Sequence, residues 1–410
     1  MSLPPRPRSP LPAGIWALGL VSLCMDMSSE LIHALLPVFL TTTLGVSALS
    51  VGLIEGVAEA TAAMTKVVSG TLSDWLGRRK LLTVIGYGLA AISKPLFPLA
   101  GSVTAVLTAR IADRIGKGIR GAPRDALIAD IAAPGQRGAA YGLRQSLDTA
   151  GAVLGPLLAI ALMTLLNDNI RLTFWFAVLP AIAAVVILVL FVHEPDKPAA
   201  DDKTPLANGR GTRIQWRDIG TLGAAYWSIV AIGGVLTLAR FSEAFLILRA
   251  ETAGLGIALV PLVLVMMSTV YTLSAYPAGL LADRLDRTRL LSLGFVALIA
   301  ADLVLAHAGE PVMLFAGVAL WGLHMGLTQG LLSTLVADAA PQALRGTAFG
   351  VFNFVSGIVL LAASLIAGYL WEDYGPAWTF YAGALITTIG LVGLTMLPRQ
   401  SPQKSAPKSK

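Results

Sequence analysis

Ionisable residues recur at helical spacing inside segments that are otherwise apolar. Asp26, Glu30 and His33 are separated by four and then by three residues, so one face of a helix carries all three side chains. A carboxylic acid inside a membrane segment can take up a proton from one side of the bilayer and release it to the other. The spacing therefore predicts a proton-coupling site, to which we assign Asp26 and Glu30.

Further charges in the neighbouring segments complete this site. We expect Arg114 to face Asp26 or Glu30 and to pair with it in one conformation. The remaining candidates are expected to line a substrate cavity, and they are His33, Glu55, Glu59, Arg110, Lys117, Arg120, Arg144 and Asp148. A charge that faces lipid at the bilayer centre costs about 2.5–3.5 kcal/mol on insertion scales, so these side chains must face protein or water. The alternative is that these ions only fix helix packing.

The charges in the first half balance, as a network of buried ion pairs requires. The cations are Lys66, Arg110, Arg114, Lys117, Arg120, Arg124 and Arg144, and the acids are Asp26, Glu30, Glu55, Glu59, Asp113, Asp125 and Asp148. Lys94 is expected to extend to the membrane surface instead. The matching segment of the second half carries no charge before Asp338, so the scaffold itself does not need these ions.

Composition excludes a water-soluble protein. Apolar residues make up 55% of the 410 residues and charged residues only 13%, whereas a soluble domain carries about a quarter charged residues. Cys24 is the only cysteine, which excludes an internal disulfide and a multi-cysteine metal site. The chain has no basic stripe for nucleic acid and no catalytic or phosphate-binding motif, so we predict neither enzyme activity nor a cofactor.

Apolar runs predict an all-α membrane protein with twelve transmembrane helices. They lie near 14–40, 48–70, 81–100, 103–128, 139–166, 172–193, 219–247, 257–281, 290–307, 311–337, 346–370 and 376–397. The fourth run, at 103–128, is too polar to pass a hydropathy threshold for membrane spans. With both termini in the cytoplasm, nineteen Lys and Arg residues lie on that side and only Arg171 and Arg249 on the other. We therefore predict a multi-pass protein of the cell membrane in this orientation.

An internal repeat divides the chain into two bundles. Asp130 and Asp338, and likewise Arg137 and Arg345, lie 208 residues apart in similar sequence. This offset predicts two pseudo-repeated six-helix bundles around a central cavity. The bundles are residues 14–193 and 219–397, joined by a polar cytoplasmic linker at 194–218, with cytoplasmic segments at 1–13 and 398–410.

Three motifs mark a family resemblance. The loop after the second span reads G-x-L-x-D-x-x-G-R-R-K at Gly70, Leu72, Asp74, Gly77, Arg78, Arg79 and Lys80. The fourth span carries Arg114-Ile-Gly-Lys117-Gly118, close to an R-x-x-Q-G motif, and the fifth carries Gly142, Gly151, Gly155 and Pro156. In these features the chain resembles the major facilitator superfamily, and among its members the drug/proton antiporters. In the fifth span, Ala159-Ile160 replaces the closing glycine pair of the exporter motif.

The resemblance implies transport by alternating access. Gly70, Asp74, Gly77, Arg78 and Arg79 would latch the two halves together on the cytoplasmic side, with Asp74 near a helix N-terminus. The glycines and proline of the fifth span, Gly151, Gly155 and Pro156, would let this helix pack closely and bend.

Together these features predict a proton-coupled exporter of a small amphipathic or anionic organic solute. Its partners would be the solute, protons and the lipid bilayer, and we expect a monomer. Trp227, Met266, Met267, Trp321 and Phe352 could supply an apolar wall. One alternative is a transporter for a divalent metal ion or a metal chelate, with Asp26, Glu30, His33, Glu55 and Glu59 as ligands. Another is a membrane sensor that uses the same scaffold without transport.

Overall fold

The computed structural model describes residues 10–76, 78–133, 136–194, 222–282, 286–341 and 344–396. These residues form twelve helical units without a strand. The units are α1 (Ala13–Thr43), α2 (Ala48–Leu76), α3 (Arg79–Leu99), α4 (Val103–Ile131), α5 (Arg137–Leu165), α6 (Ile170–Phe191), α7 (Ala224–Thr252), α8 (Leu262–Ala282), α9 (Arg287–Ala306), α10 (Pro311–Ala339), α11 (Arg345–Tyr374) and α12 (Pro376–Met396). Apart from Glu194, the predicted linker lies outside the described residues, as does the tail.

Two helices are too polar to be recognised as membrane spans by their hydropathy. Ten of the twelve units are long and apolar enough to cross a bilayer, and among the described residues α2 and α4 are not. The prediction for α4 is confirmed. The helix α2 fails as well because Glu55 and Glu59 interrupt its apolar sequence. Both helices are nevertheless complete, since they are packed inside the protein.

Helix packing repeats between the two halves. In the first half α1 packs on α5 and α6, α4 packs on α2 and α3, and α3 packs on α6. In the second half α7 packs on α11 and α12, α10 packs on α8 and α9, and α9 packs on α12. The halves meet where α2 packs on α11 and where α5 packs on α8, which are equivalent contacts under exchange of the halves. The predicted pair of six-helix bundles is confirmed.

An ion pair also repeats at the predicted offset. Arg79 binds Asp130 in the first half, and Arg287 binds Asp338 at 2.5 Å in the second. Each arginine starts the third helix of its half and each aspartate lies near the end of the fourth. The first copy is reinforced by Glu194, whose carboxylate accepts the backbone N–H of Arg79 at 2.9 Å. This carboxylate lies at the positive end of the α3 dipole.

Glycines allow the two halves to approach closely along α2 and α11. A Cβ at Gly56 would lie 3.0 Å from the Leu361 Cα, and one at Gly357 would lie 2.7 Å from the Ala63 Cβ. Farther along, a Cβ at Gly368 would lie 2.7 Å from the Leu49 Cα. Small residues of this kind let helix backbones pack without a layer of side chains between them.

The bundle has two different ends. We call the end that contains residues 194 and 222 the linker side and the opposite end the far side. On the far side the halves are closed, because Leu36–Val38 of α1 packs against Ala244–Thr252 of α7. The Thr41 hydroxyl there donates to the Glu251 carboxylate at 3.4 Å. A cavity of about 400 Å³ lies between the halves on the linker side of this contact, bounded by α2, α4, α7, α10 and α11.

Candidate substrate cavity and charged network

The centre of the site is a line of charged residues on α4, which we call the α4 ladder. It consists of Arg110, Asp113, Arg114, Lys117, Arg120 and Arg124. Apart from the adjacent Asp113 and Arg114, successive members are three or four residues apart, so they share one broad face. Glycines bring this face against its neighbours. A Cβ at Gly86 of α3 would lie 2.7 Å from the backbone nitrogen of Arg120, and one at Gly118 would lie 2.5 Å from the Thr65 Cβ of α2.

The end of the ladder nearest the far side is an ion pair almost without solvent contact. Arg110 donates to Glu55 at 2.6 Å, and each side chain is only 1% exposed. The Glu55 carboxylate also lies 3.8 Å from the His33 Nε2. On its other side, the His33 Nδ1 lies 3.2 Å from the Glu30 carboxylate. The predicted residues Glu30, His33, Glu55 and Arg110 thus form one connected chain across α1, α2 and α4.

The middle of the ladder contains a partner that the sequence did not reveal. Lys94 of α3 donates to Asp113 at 2.7 Å and to the Ser29 hydroxyl at 2.9 Å. The expectation that Lys94 extends to the membrane surface is wrong, because its side chain is 1% exposed. Arg114 binds Glu59 at 3.2 Å, so in this conformation its partner is neither Asp26 nor Glu30.

Toward the linker side the ladder binds Asp26. Arg120 lies 3.6 Å from the Asp26 carboxylate and stacks over the Tyr87 ring at 4.6 Å. Asp148 of α5 forms ion pairs with both Arg124 at 3.8 Å and Arg144 at 3.7 Å. The predicted pair of Arg144 with Asp148 is therefore present, and α4 is tied to α1 through Asp26 and to α5 through Asp148.

The two predicted proton-coupling acids lie on the contact between α1 and α5. A Cβ at Gly151 would lie 2.5 Å from the Leu23 carbonyl oxygen and 3.1 Å from the Asp26 Cβ. One at Gly155 would lie 2.9 Å from the Glu30 Cβ. Each glycine is thus directly opposite one acid. Pro156 is buried within α5 next to this contact.

The remaining gating residues are only partly described. Gly70 lies in α2, where a Cβ would make an ordinary 3.6 Å contact with Ala122. Arg78 is exposed immediately before α3, and Arg79 forms the ion pair with Asp130. Gly77 and the side chain of Asp74 lie outside the described part of the chain, so the predicted latch remains a prediction.

Lys117 is the member of the ladder that faces the cavity. It lines the cavity together with Glu59 and Lys66 from the first half, and both lysines are exposed. The second half contributes Arg240 and Phe352 to the same cavity. Of the predicted apolar wall only Phe352 lines the cavity. Trp321 is fully buried against Phe241, and Met267 is buried as well.

The second half contains buried polar groups that the sequence analysis did not select. Asp302 of α9 is fully buried, and within the described residues neither of its carboxylate oxygens has a hydrogen-bond partner. His324 of α10 is also buried, with its Nδ1 2.9 Å from the Gly294 carbonyl oxygen. The internal repeat could have identified Asp302 from the sequence, because Asp302 lies 208 residues after Lys94.

The acids proposed as metal ligands are engaged by basic side chains instead. Glu55 binds Arg110 and Glu59 binds Arg114, while Glu30 lies against His33. Across the described residues no group of three or more His, Cys, Asp or Glu side chains is arranged to hold a metal ion.

Two pseudo-repeated six-helix bundles around a charged central cavity define the class of membrane transporters with alternating access. Comparison with known proteins agrees. The sequence pattern of the Major Facilitator Superfamily matches residues 18–364 and 241–410, so the chain belongs to this family of secondary transporters.

Its relatives include both full-length and partial matches. An MFS-type transporter of Methanocaldococcus jannaschii is 32% identical over 399 residues, covering 94% of this chain and 95% of the relative. The quinolone resistance protein NorA of Staphylococcus aureus is 26% identical over 187 residues, covering 46% of this chain and 47% of NorA. The crystal structure of the nucleoside transporter NupG superposes with a TM-score of 0.77 at 12% identity, covering 93% of this chain and 99% of that one. This last similarity concerns the fold.

Proposed function

We propose that the chain is a proton-coupled exporter of a small amphipathic or anionic organic solute. The observation that carries the proposal is the placement of Asp26 and Glu30. Both acids lie on the α1–α5 contact and interact electrostatically with Lys117, which lines the cavity, and each is held by a basic residue, Arg120 or His33. Similarity of about half the chain to a protein named for quinolone resistance supports export as the direction.

Protonation of Asp26 would weaken the ion pair that holds α1 against α4, and protonation of Glu30 would weaken its pair with His33 within α1. A neutral Asp26 no longer attracts Arg120, and a neutral Glu30 no longer attracts a positively charged His33. Such a change shifts the equilibrium between two arrangements of the halves. The size of the shift is set by the difference in proton affinity between the two arrangements. We place the linker side and both termini in the cytoplasm, because Lys and Arg residues are concentrated there.

The test combines a search for the solute with a measurement of coupling. A deletion strain and an overexpressing strain are compared across toxins, chelators and divalent ions for sensitivity and accumulation. The solute found is then followed in proteoliposomes with an imposed pH gradient. Asp26→Asn and Glu30→Gln should lose transport driven by the gradient, whereas the matched control Glu310→Gln, at an exposed site on the far side, should retain it. Normal gradient-driven transport by both variants would contradict the proposal.

A further inference from the structure

Three cations line the cavity without a carboxylate partner. They are Lys66 and Lys117 from the first half and Arg240 from the second. Among the described residues, none of the three forms an ion pair within 4.0 Å. The one acid that lines this cavity is Glu59, which already binds Arg114 at 3.2 Å. The lining is therefore positive.

The acids nearest to Lys117 are occupied by other partners. Asp26, Glu30 and Glu59 are close enough to interact with it electrostatically, but they bind Arg120, His33 and Arg114 respectively. The count of charges explains why no acid remains for it. With the buried Lys94 and with His33, which binds Glu30, the network of the first half contains nine basic residues and seven acids, so Lys66 and Lys117 remain.

Arg240 lies where α7 is interrupted. It follows the helical segment Ala224–Ala239, and the helix resumes at Ala244. Glu243, three residues farther on, does not reach Arg240 within 4.0 Å in the described structure and does not line the cavity. A cation in such a setting is costly unless an anion compensates it. Glu243 attracts Arg240 electrostatically, but no carboxylate of the described residues forms an ion pair with it, so an anion bound in the cavity would complete the compensation.

We propose that the solute is an organic anion whose acidic group binds between Lys117 and Arg240 and so connects the two halves. This rests on the proposed function, since it names the solute of that transporter. Carboxylate, sulfonate and phosphate groups all fit, because the arginine fork binds such oxygens in pairs and lysine adds a point charge. The apolar part of the solute lies against Phe352, Leu236 and Leu332. A cavity of about 400 Å³ accommodates a small organic molecule.

The arrangement also gives the anion a role in transport. Without it, Lys117 and Arg240 repel each other across the cavity and oppose closure of the linker side. With the anion bound, both halves are attracted to the same charge, and closure around it becomes favourable. Only the loaded carrier then closes readily on this side.

The experiment uses matched probes that differ in charge. Binding of a naphthalene dicarboxylate, its dimethyl ester and a naphthyl trimethylammonium ion is measured by thermal shift of the detergent-solubilised full chain. We expect the dicarboxylate alone to bind, and Lys117→Gln or Arg240→Gln to weaken it roughly tenfold or more. Arg289→Gln, at an exposed cation away from the cavity, should leave it unchanged. Lys117→Glu should shift the preference toward the ammonium probe, which a purely structural role of Lys117 would not do.

The outcomes separate the two proposals. Equal binding of the ester or the ammonium ion to the wild-type chain overturns the anion site, even if transport remains driven by protons. Dicarboxylate flux that persists in Asp26→Asn and Glu30→Gln overturns proton coupling and leaves the anion site intact. Repeating the measurement in vesicles of phosphatidylcholine or phosphatidylglycerol identifies the source of the anion. If phosphatidylglycerol displaces the probe and phosphatidylcholine does not, a lipid headgroup occupies the site. That result would overturn the proposal of a soluble solute.

Discussion

Lys94 on α3 and Asp302 on α9 occupy equivalent positions in the two halves, 208 residues apart, and both side chains are buried. In the first half the lysine has a partner, because Asp113 accepts its ammonium group at 2.7 Å. In the second half the position equivalent to Asp113 is Trp321, and within the described residues the Asp302 carboxylate has no partner. One position of the duplicated unit thus carries a satisfied charge in one half and an unsatisfied acid in the other.

This asymmetry predicts opposite effects of the same kind of substitution. Asp113→Asn leaves the buried Lys94 without its counter-charge and should lower the free energy of unfolding by about 3–5 kcal/mol. Asp302→Asn removes a buried carboxylate that lacks a partner, so it should be neutral or stabilising. Thermal unfolding of both variants in the same detergent provides the comparison. Similar destabilisation by both would show that Asp302 has a favourable partner.

The three motif glycines of α5, Gly142, Gly151 and Gly155, differ in how close neighbouring atoms lie to an added side chain. Gly151→Val should collide with the Leu23 carbonyl oxygen, and Gly155→Val with the Met27 carbonyl oxygen, at Cβ distances of 2.5 and 2.7 Å. Both variants should separate α1 from α5, lower thermal stability and abolish transport. Gly142 has nothing within 4 Å, so Gly142→Ala is the matched control and should stabilise the helix by about 0.5–1 kcal/mol. If the valine variants still transport, the close contact between α1 and α5 is not required for the mechanism.

Closure of the far side can be tested by cross-linking across the halves. Thr41 and Glu251 are in contact there, and Cys24 is the only native cysteine, so a cysteine-free background needs one substitution. With Cys24 replaced by serine, Thr41→Cys with Glu251→Cys should cross-link with a short thiol reagent. Cross-linking should arrest transport, because these residues must separate when the cavity opens to the far side.

The matched control is the pair His307→Cys with Tyr381→Cys, since this side-chain contact at 3.1 Å lies within one half. Its cross-linking should leave transport active, and a reducing agent should restore the arrested variant if the link is a disulfide. Continued transport by the Thr41–Glu251 cross-linked protein would mean that the far side does not open between these residues.

The fold was predictable from sequence because its signals are periodic and repeated. Apolar runs predicted most of the twelve helices, the internal repeat required the more polar α4, and the offset between Asp130 and Asp338 predicted the two bundles. The breaks inside helices were not predictable in this way. The interruption of α7 between Ala239 and Ala244 contains no proline, so nothing in its local sequence separates it from a continuous helix.

The charged network was predictable as a set of residues but not as a set of pairs, and of the eight residues predicted to line the cavity only Glu59 and Lys117 do so. Helical spacing indicates which charges share a face, and it placed Asp26, Glu30 and the α4 ladder correctly on interior faces. Which acid binds which base depends on the rotation of neighbouring helices, which is set by glycine contacts such as Gly86 against Arg120. Spacing within one helix carries no information about that rotation. For this reason Arg114 was predicted to pair with α1 and instead binds Glu59.

Water access to Lys117 distinguishes a transport cavity from a buried structural charge. In the Cys24→Ser background, Lys117→Cys should react with a membrane-impermeant thiol reagent added on the linker side, because this residue is exposed to the cavity. Reagent added on the far side should label it less, because Leu36–Val38 packs against α7 there. Leu179→Cys, on the apolar outer surface of α6, should be labelled from neither side. An organic anion that binds between Lys117 and Arg240 should slow the reaction at position 117, whereas a cation of the same size should not.

If position 117 resists labelling from both sides, its ammonium group is a packing element, and the cavity does not carry solute past the α4 ladder.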